Sequence, residues 1–177
     1  PESSKDFGKN IIPKMLARGE KMGAYSFSGY WKDVGTIESL WDANMDLLQR
    51  PVPINLHDRS WRIYARNVGM PPHYVFPTGS VENSLITEGC EIAGEVRGSV
   101  LSAGVTVEEG AQVIDSVIMP FARIKKNAVV CRSIVAESAV IGEHARVGEA
   151  TGTIAVVGTN IQLAEGSVLL AGEQAGN

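Results

Sequence analysis

The chain has 177 residues, 44% of them apolar, enough for one or two domains with a substantial core. Its net charge of −4 is unevenly spread: residues 1–74 carry ten Lys+Arg against eight Asp+Glu, whereas residues 75–177 carry six against twelve. An acidic second half argues against nucleic acid or an anionic membrane as a partner, and no apolar run reaches membrane-spanning length.

In chain order, Asp6-Phe7-Gly8-Lys9-Asn10-Ile11 comes first as a turn. Pro13 suits a first helical turn and Gly19 is a natural stop, so a helix is expected from about Ile12 to Arg18. Gly23 to Phe27 alternates weakly and ends at Ser28-Gly29, which reads as a strand and a hairpin-like turn. Tyr30 to Val34 reads as a second short extended segment. Thr36 then caps a helix whose apolar positions Ile37, Leu40, Trp41, Met45 and Leu48 follow the helical period. Arg50-Pro51-Val52-Pro53 ends it, and the proline-rich stretch 51–80 reads as a linker.

From there the chain repeats. Asn83-Ser84-Leu85-Ile86, Gly98-Ser99-Val100-Leu101, Asp115-Ser116-Val117-Ile118 and Arg132-Ser133-Ile134-Val135 are four copies of one tetrapeptide, with serines 15, 17 and 17 residues apart. A six-residue beat runs inside that spacing. Leu101, Val107 and Val113 form one aliphatic triplet; Ile118, Ile124 and Val130 form the next; Val135, Ile141 and Val147 the third. Small residues (Ala111, Ala122, Ala128, Ala139, Ala145) sit four positions after a beat, and Cys90 takes that offset after Ile86. This is the hexapeptide signature of a parallel β-helix, in which three hexapeptides make one triangular coil and stacked coils bury the aliphatics. The beat persists at Val157, Leu163 and Leu169, so a last irregular coil is expected, with residues 172–177 frayed. Two cysteines without partner spacing read as reduced thiols in a cytoplasmic protein, and a start at Pro1 with no visible signal peptide suggests a fragment or processed product.

The stretch richest in chemistry is Gly29-Tyr30-Trp31-Lys32-Asp33-Val34-Gly35-Thr36. It places one carboxylate between a strand end and a helix N-terminus, where α/β folds hold ligands and where an Asp can bind Mg²⁺ bridging phosphate oxygens; a turn or cap role is the plainer alternative. Together with Asp6-Phe7-Gly8-Lys9-Asn10-Ile11-Ile12-Pro13, Leu40-Trp41-Asp42-Ala43-Asn44-Met45-Asp46-Leu47-Leu48, Ser60-Trp61-Arg62-Ile63-Tyr64 and Ser116-Val117-Ile118-Met119-Pro120, it resembles the bacterial ADP-glucose pyrophosphorylase family (glucose-1-phosphate adenylyltransferase) over about residues 6–149.

The resemblance implies a mainly β fold: a left-handed parallel β-helix at 81–177, preceded by the C-terminal end of an α/β nucleotidyltransferase domain at 1–50 and the linker at 51–80. It implies the conversion of ATP and glucose 1-phosphate to ADP-glucose and pyrophosphate in glycogen biosynthesis. Asp33 would be the second of two Mg²⁺-holding aspartates, with Trp31, Lys32 and Asp6 on the sugar-phosphate side; Trp31 also reads as a packing residue and Asp6 as a cap. The family's Gly-rich nucleotide loop, catalytic Arg and first metal Asp have no counterpart in this sequence, so this portion is expected to be inactive by itself. The resemblance further implies a homotetramer or a hetero-oligomer with a paralogous subunit.

Regulation departs from plant-type relatives. Where these carry Lys-Asn-Ala-Arg-Ile-Gly, this chain has Glu143-His144-Ala145-Arg146-Val147-Gly148, so the activator cation is replaced. Arg123, Arg132 and Arg146, with Lys125 and Lys126, are the basic candidates for an effector site. Stacking of Lys125-Lys126 beside Glu108-Glu109, about 4.8 Å per coil, reads instead as a surface charge ladder, and weak or absent activation by sugar phosphates is expected. Two other function classes remain. His144 at a coil corner would be the base of a hexapeptide acyltransferase, although it reads more simply as an exposed corner residue; a non-catalytic scaffold subunit is the third reading. His57 and His73 fall in the linker without metal-ligand neighbours.

Overall fold

The computed structural model describes residues 5–56, 58–61, 64 and 68–176, which divide into one unit up to Tyr30 and a second from Trp31 onward. His57 and much of the Ser60–Tyr64 motif lie outside the described residues.

In the first unit a π-helical turn, Phe7–Ile11, runs into helix α1, Ile12–Ala17. Pro13 sits in the first turn of α1, where its missing N–H costs no hydrogen bond. Gly19 follows the helix with φ +68°, a conformation open to glycine at no steric cost. The expected strand at Gly23–Phe27 is not formed, and the segment Tyr30–Val34 belongs to no sheet. A strand needs a partner strand, and among the described residues neither segment is paired into a sheet; Tyr25 is 91% exposed.

The second unit is dominated by the β-helix. Its strands form three parallel sheets of six, each built from every third strand, so that the chain makes six coils. This parallel hexapeptide solenoid is the left-handed β-helix expected from the repeats. The first sheet runs from Tyr74–Val75 to Gln162–Leu163, the second from Ser80–Glu82 to Val168–Leu169, and the third from Leu85–Ile86 to Gln174–Ala175. The β-helix therefore starts inside the stretch read as a linker, because Tyr74–Val75 already pairs with Glu91–Ile92. It also continues into the tail expected to fray, since Val156 and Val157 pair with Gln174 and Ala175.

Each aliphatic triplet contributes one residue to each sheet, and these residues stack in register: Val107, Ile124 and Ile141 in the first, Val113, Val130 and Val147 in the second, Leu101, Ile118 and Val135 in the third. All are buried, as are the five corner alanines and Cys90. Burying a Val, Leu or Ile side chain contributes about 1.5–3 kcal/mol, so a stack of identical layers accumulates stability coil by coil.

The repeated serine has a role that periodicity alone did not disclose. Ser116 donates its Oγ–H to the Ile114 carbonyl at 2.7 Å and accepts the Ser133 N–H at 3.1 Å; Ser99 does the same for Arg97 O and Ser116 N–H. Ser84 begins this ladder and Ser133 ends it, where the next residue in register is Ala155. Three of the four serines are fully buried. The hydroxyls thus accept the next serine's N–H at a dry corner, while the carbonyls they donate to, such as Arg97 and Ile114, also accept a backbone N–H from the next coil.

On the second sheet the first coil-to-coil step, Val81 to Val96, takes 15 residues and the next three take 17, but the step from Val147 to Leu169 takes 22. The extra residues form a loop between Gly148 and Ile154. Gly148 has φ +72°, and a Cβ there would fall on the Cys131 carbonyl oxygen and Ser133 Oγ. Only glycine fits at that bend.

Helix α2, Ile37–Asp46, lies on the outer face of the third sheet. Its periodic residues Ile37, Leu40, Trp41 and Met45 meet Val117, Ile134 and the loop residue Ile154 in a second apolar cluster. Leu48, assigned to the helix by its period, lies just beyond the C-cap Leu47. Trp41 donates its indole N–H to the Asp115 carbonyl at 2.8 Å, and the Arg132 guanidinium stacks on the same ring at 4.5 Å. Arg132 in turn donates from Nε to the Gly152 carbonyl at 2.9 Å, tying the long loop into the same contact. No helix of the described residues is long and apolar enough to cross a membrane.

Candidate active-site turn before helix α2

The turn Trp31–Thr36 owes its shape to the start of helix α2. Thr36 is the N-cap of α2, and Thr36 and Ser39 form a reciprocal capping box: the Ser39 N–H reaches Thr36 Oγ1 at 3.1 Å and the Thr36 N–H reaches Ser39 Oγ at 2.9 Å. Such a cap contributes about 1 kcal/mol and fixes where the helix begins. It also removes the capping half of the plainer alternative for Asp33, which keeps its place in the turn. The capping position is filled by Thr36, and the exposed Asp33 carboxylate has no hydrogen-bond or ion-pair partner among the described residues. It folds back beside Gly35, where a Cβ would stand 3.4 Å from Asp33 Oδ1.

Lys32 is held differently. Its ammonium donates to Asp46 Oδ2 at 2.7 Å, with Asp42 Oδ2 at 4.0 Å. The two acids lie one helical turn apart on α2, on the side turned away from Ile37, Leu40, Trp41 and Met45. Trp31 is 71% exposed, so the packing role expected for it is not met by this chain. Asp6 belongs to the first unit, where it caps the π-helical turn by accepting the Lys9 N–H at 2.7 Å. The structure therefore brings Lys32 together with Asp42 and Asp46, leaves Asp33 by itself at the turn, and gives Asp6 the local role that was its alternative.

A divalent cation of the magnesium type commonly takes one or two carboxylates, completing its shell with substrate phosphates and water. A single exposed carboxylate without protein partners suits that mode of binding. A closed protein cage is absent: among the described residues no group of three or more His, Cys, Asp or Glu converges.

The basic candidates are dispersed. Arg123 lies on the first sheet beside Glu91, Glu108 and Glu109, and Arg146 on the second sheet. Arg132 is occupied by Trp41 and Gly152. Lys126 donates its N–H to Glu108 Oε2 at 2.9 Å and places Nζ 3.6 Å from Glu109, the charge ladder expected from stacking. His144 is an exposed corner residue with φ +58°, its N–H bonded to the Lys126 carbonyl. His73 is exposed as well. Cavities of about 380 and 390 Å³ lie away from the turn, one between the end of α2 and the first coil, the other on the outer face of the first sheet.

With this geometry in view, comparison with known proteins is direct. The family described as GlmU-like, C-terminal hexapeptide matches residues 73–169, more than half of the chain. The chain belongs to that family. The nucleotidyl transferase family matches residues 1–50, the segment carrying Lys32 and Asp33. Glucose-1-phosphate adenylyltransferases of Bacillus mycoides (strain KBAB4), Bacillus thuringiensis (strain Al Hakam) and Bacillus anthracis are each 58% identical over 141 residues, covering 80% of this chain and 38% of the relative. The resemblance carried by the quoted motifs is thus borne out, and the hexapeptide chain is similar to a little over a third of each relative's length.

Two interactions escaped the sequence. The Asp46 partner of Lys32 lies 14 residues away and leaves no periodic trace. The serine ladder did leave one: a small polar residue recurring in register with buried aliphatics marks a column that must satisfy its own hydrogen bonds.

Proposed function

We propose that this chain is the C-terminal part of a glucose-1-phosphate adenylyltransferase, which makes ADP-glucose and pyrophosphate from ATP and glucose 1-phosphate in cytoplasmic glycogen biosynthesis. The observation that carries this reading is the 58% identity to enzymes of that name over 80% of the chain. The uncommitted Asp33 beside the tethered Lys32 supports it, because phosphoryl transfer depends on positioning and charge neutralisation more than on a covalent group from the protein.

In this reading the sugar-phosphate oxygen attacks the α-phosphorus in line, and pyrophosphate leaves. Lys32 lies on the sugar-phosphate side and offsets the charge of the incoming phosphate. Trp31, exposed at the same turn, forms part of that wall. Asp33 is the residue that would hold Mg²⁺, and neutralisation of phosphate oxygens is what the bound ion supplies. The β-helix contributes the platform on which α2 and the turn rest, and takes part in assembly as a homotetramer or with a paralogous subunit. Turnover requires the rest of the polypeptide, since the chain spans 38% of its relatives' length.

The test is pyrophosphorolysis by the full-length polypeptide against ADP-, UDP- and dTDP-glucose. The expected result is Mg²⁺-dependent preference for ADP-glucose that Asp33→Asn abolishes. Preference for another nucleotide would move the substrate and the pathway while leaving the fold untouched. Absence of turnover with all three would favour a scaffold subunit.

A further inference from the structure

We propose that Asp46 is a positioning residue for Lys32, so that helix α2 sets the sugar-phosphate side of the site; this rests on the assignment of Lys32 to the phosphate given above. The Asp46 carboxylate is engaged at both oxygens. Oδ2 accepts from Lys32 Nζ at 2.7 Å, and Oδ1 accepts from Gln49 Nε2 at 2.7 Å. Its side chain is 17% exposed, against 54% for Asp42, which stands 4.0 Å from the ammonium. Asp46 is therefore the fixed anchor and Asp42 a weaker, solvated companion.

A free lysine samples many rotamers, and holding its stem in one of them beforehand removes disorder that substrate binding would otherwise have to overcome. An ammonium carries three N–H donors, so a carboxylate behind it and a phosphate in front can be served together. The anchor is itself immobile. One face of α2 is fixed to the β-helix by the Trp41 bond to Asp115 and the Arg132 stack, while Asp42 and Asp46 project from the side of the helix turned away from it. The line of support runs from the third sheet through α2 to Asp46, Lys32 and the neighbouring Asp33.

The experiment uses the full-length enzyme with Asp46→Asn, Asp46→Glu and Lys32→Gln, reading KM for glucose 1-phosphate, KM for ATP, kcat and the thermal midpoint. Asp46→Asn is expected to raise the sugar-phosphate KM about tenfold, the effect of one charge-assisted hydrogen bond, with KM for ATP within about twofold. Asp46→Glu should recover part of the loss, and Lys32→Gln should exceed it. A sugar-phosphate KM unchanged or lowered in Asp46→Asn would overturn the proposal, the latter showing that the carboxylate competes with phosphate. Equal rises in both KM values with a depressed thermal midpoint would show a purely structural bolt and overturn it too. If Lys32→Gln leaves the sugar-phosphate KM unchanged, the assignment of Lys32 fails and the inference with it. If only Asp46→Asn is silent, the inference fails alone.

Discussion

In the β-helix every buried aliphatic has a like residue above and below it, so Val113, Val130 and Val147 support one another and each contact is made several times over. Around helix α2 each contact is made once: one indole N–H to one carbonyl, one guanidinium on that indole, one ammonium on one carboxylate. Repetition spreads the effect of a change over neighbouring coils, whereas a contact made once has no substitute. The segment with unique contacts is also the one bearing Lys32 and Asp33, which fits the general pattern of function borne by loops on a rigid scaffold.

Four substitutions test this contrast, beginning where repetition is most sharply interrupted. Gly148→Ala combines a left-handed backbone with a collision against Cys131 O and Ser133 Oγ, and should destabilise by about 3 kcal/mol or more in urea unfolding. Ser116→Ala leaves the buried Ser133 N–H without its partner, while the Ile114 carbonyl keeps the Arg132 N–H, an expected loss of about 2 kcal/mol by the same measurement. Ser84→Ala, at the less buried start of the ladder, should cost less; an equal loss would mean that burial is not what makes the ladder matter.

Trp41→Phe keeps the ring and removes the indole N–H, so about 1 kcal/mol should be lost. Because α2 alone makes that contact, the loss should show as faster hydrogen exchange in α2 with the β-helix amides unchanged. Spreading of the exchange into the coils would dissolve the distinction drawn between the two regions.

The smallest effect concerns pH. Burial pushes the Cys90 thiol up, and Cys131 is raised by burial first and by the Asp115 carboxylate second. A thiol held protonated in the fold binds more protons than the unfolded chain does at alkaline pH. Stability is therefore level below the ordinary thiol pKa of about 8.5 and falls as pH rises through it. Cys90→Ala fits a register column that already contains Ala122 and Ala139, and should flatten part of that decline, losing near neutrality the thiol's packing and its contact to the Ser102 carbonyl. An unchanged alkaline decline would assign the dependence elsewhere.

The solenoid was legible because its signal is periodic: the triplets named the core residues, and the alanines and Cys90 named the corners. The register of the tail was legible for the same reason, although its final strand was not, since Gln174 and Ala175 lack the aliphatic marker and are held by backbone pairing alone. Helix α2 was read from its 3.6-residue beat and its Thr36 cap, but the surface it covers could not be. Val117 and Ile134 point outward from their sheet, and alternation within a strand does not say what will lie against the outer face. At the site, residue types at the turn were readable through resemblance, while the division of labour between Asp33, uncommitted, and Lys32, bound to Asp46, needed coordinates. The strand expected at Gly23–Phe27 shows the opposite limit, since a weak local alternation cannot supply the neighbour that a strand requires.

The long loop between Gly148 and Ile154 has a consequence for how the molecule avoids ambiguity. A stack of near-identical coils offers a helix several equivalent landing places, displaced from one another by one coil. Only one level of this stack has Ile154 folded over the sheet and the Gly152 carbonyl in reach of Arg132. The irregular coil acts as a landmark on an otherwise uniform ruler: it gives α2 a unique address, and so gives Lys32 and Asp33 a single height along the solenoid.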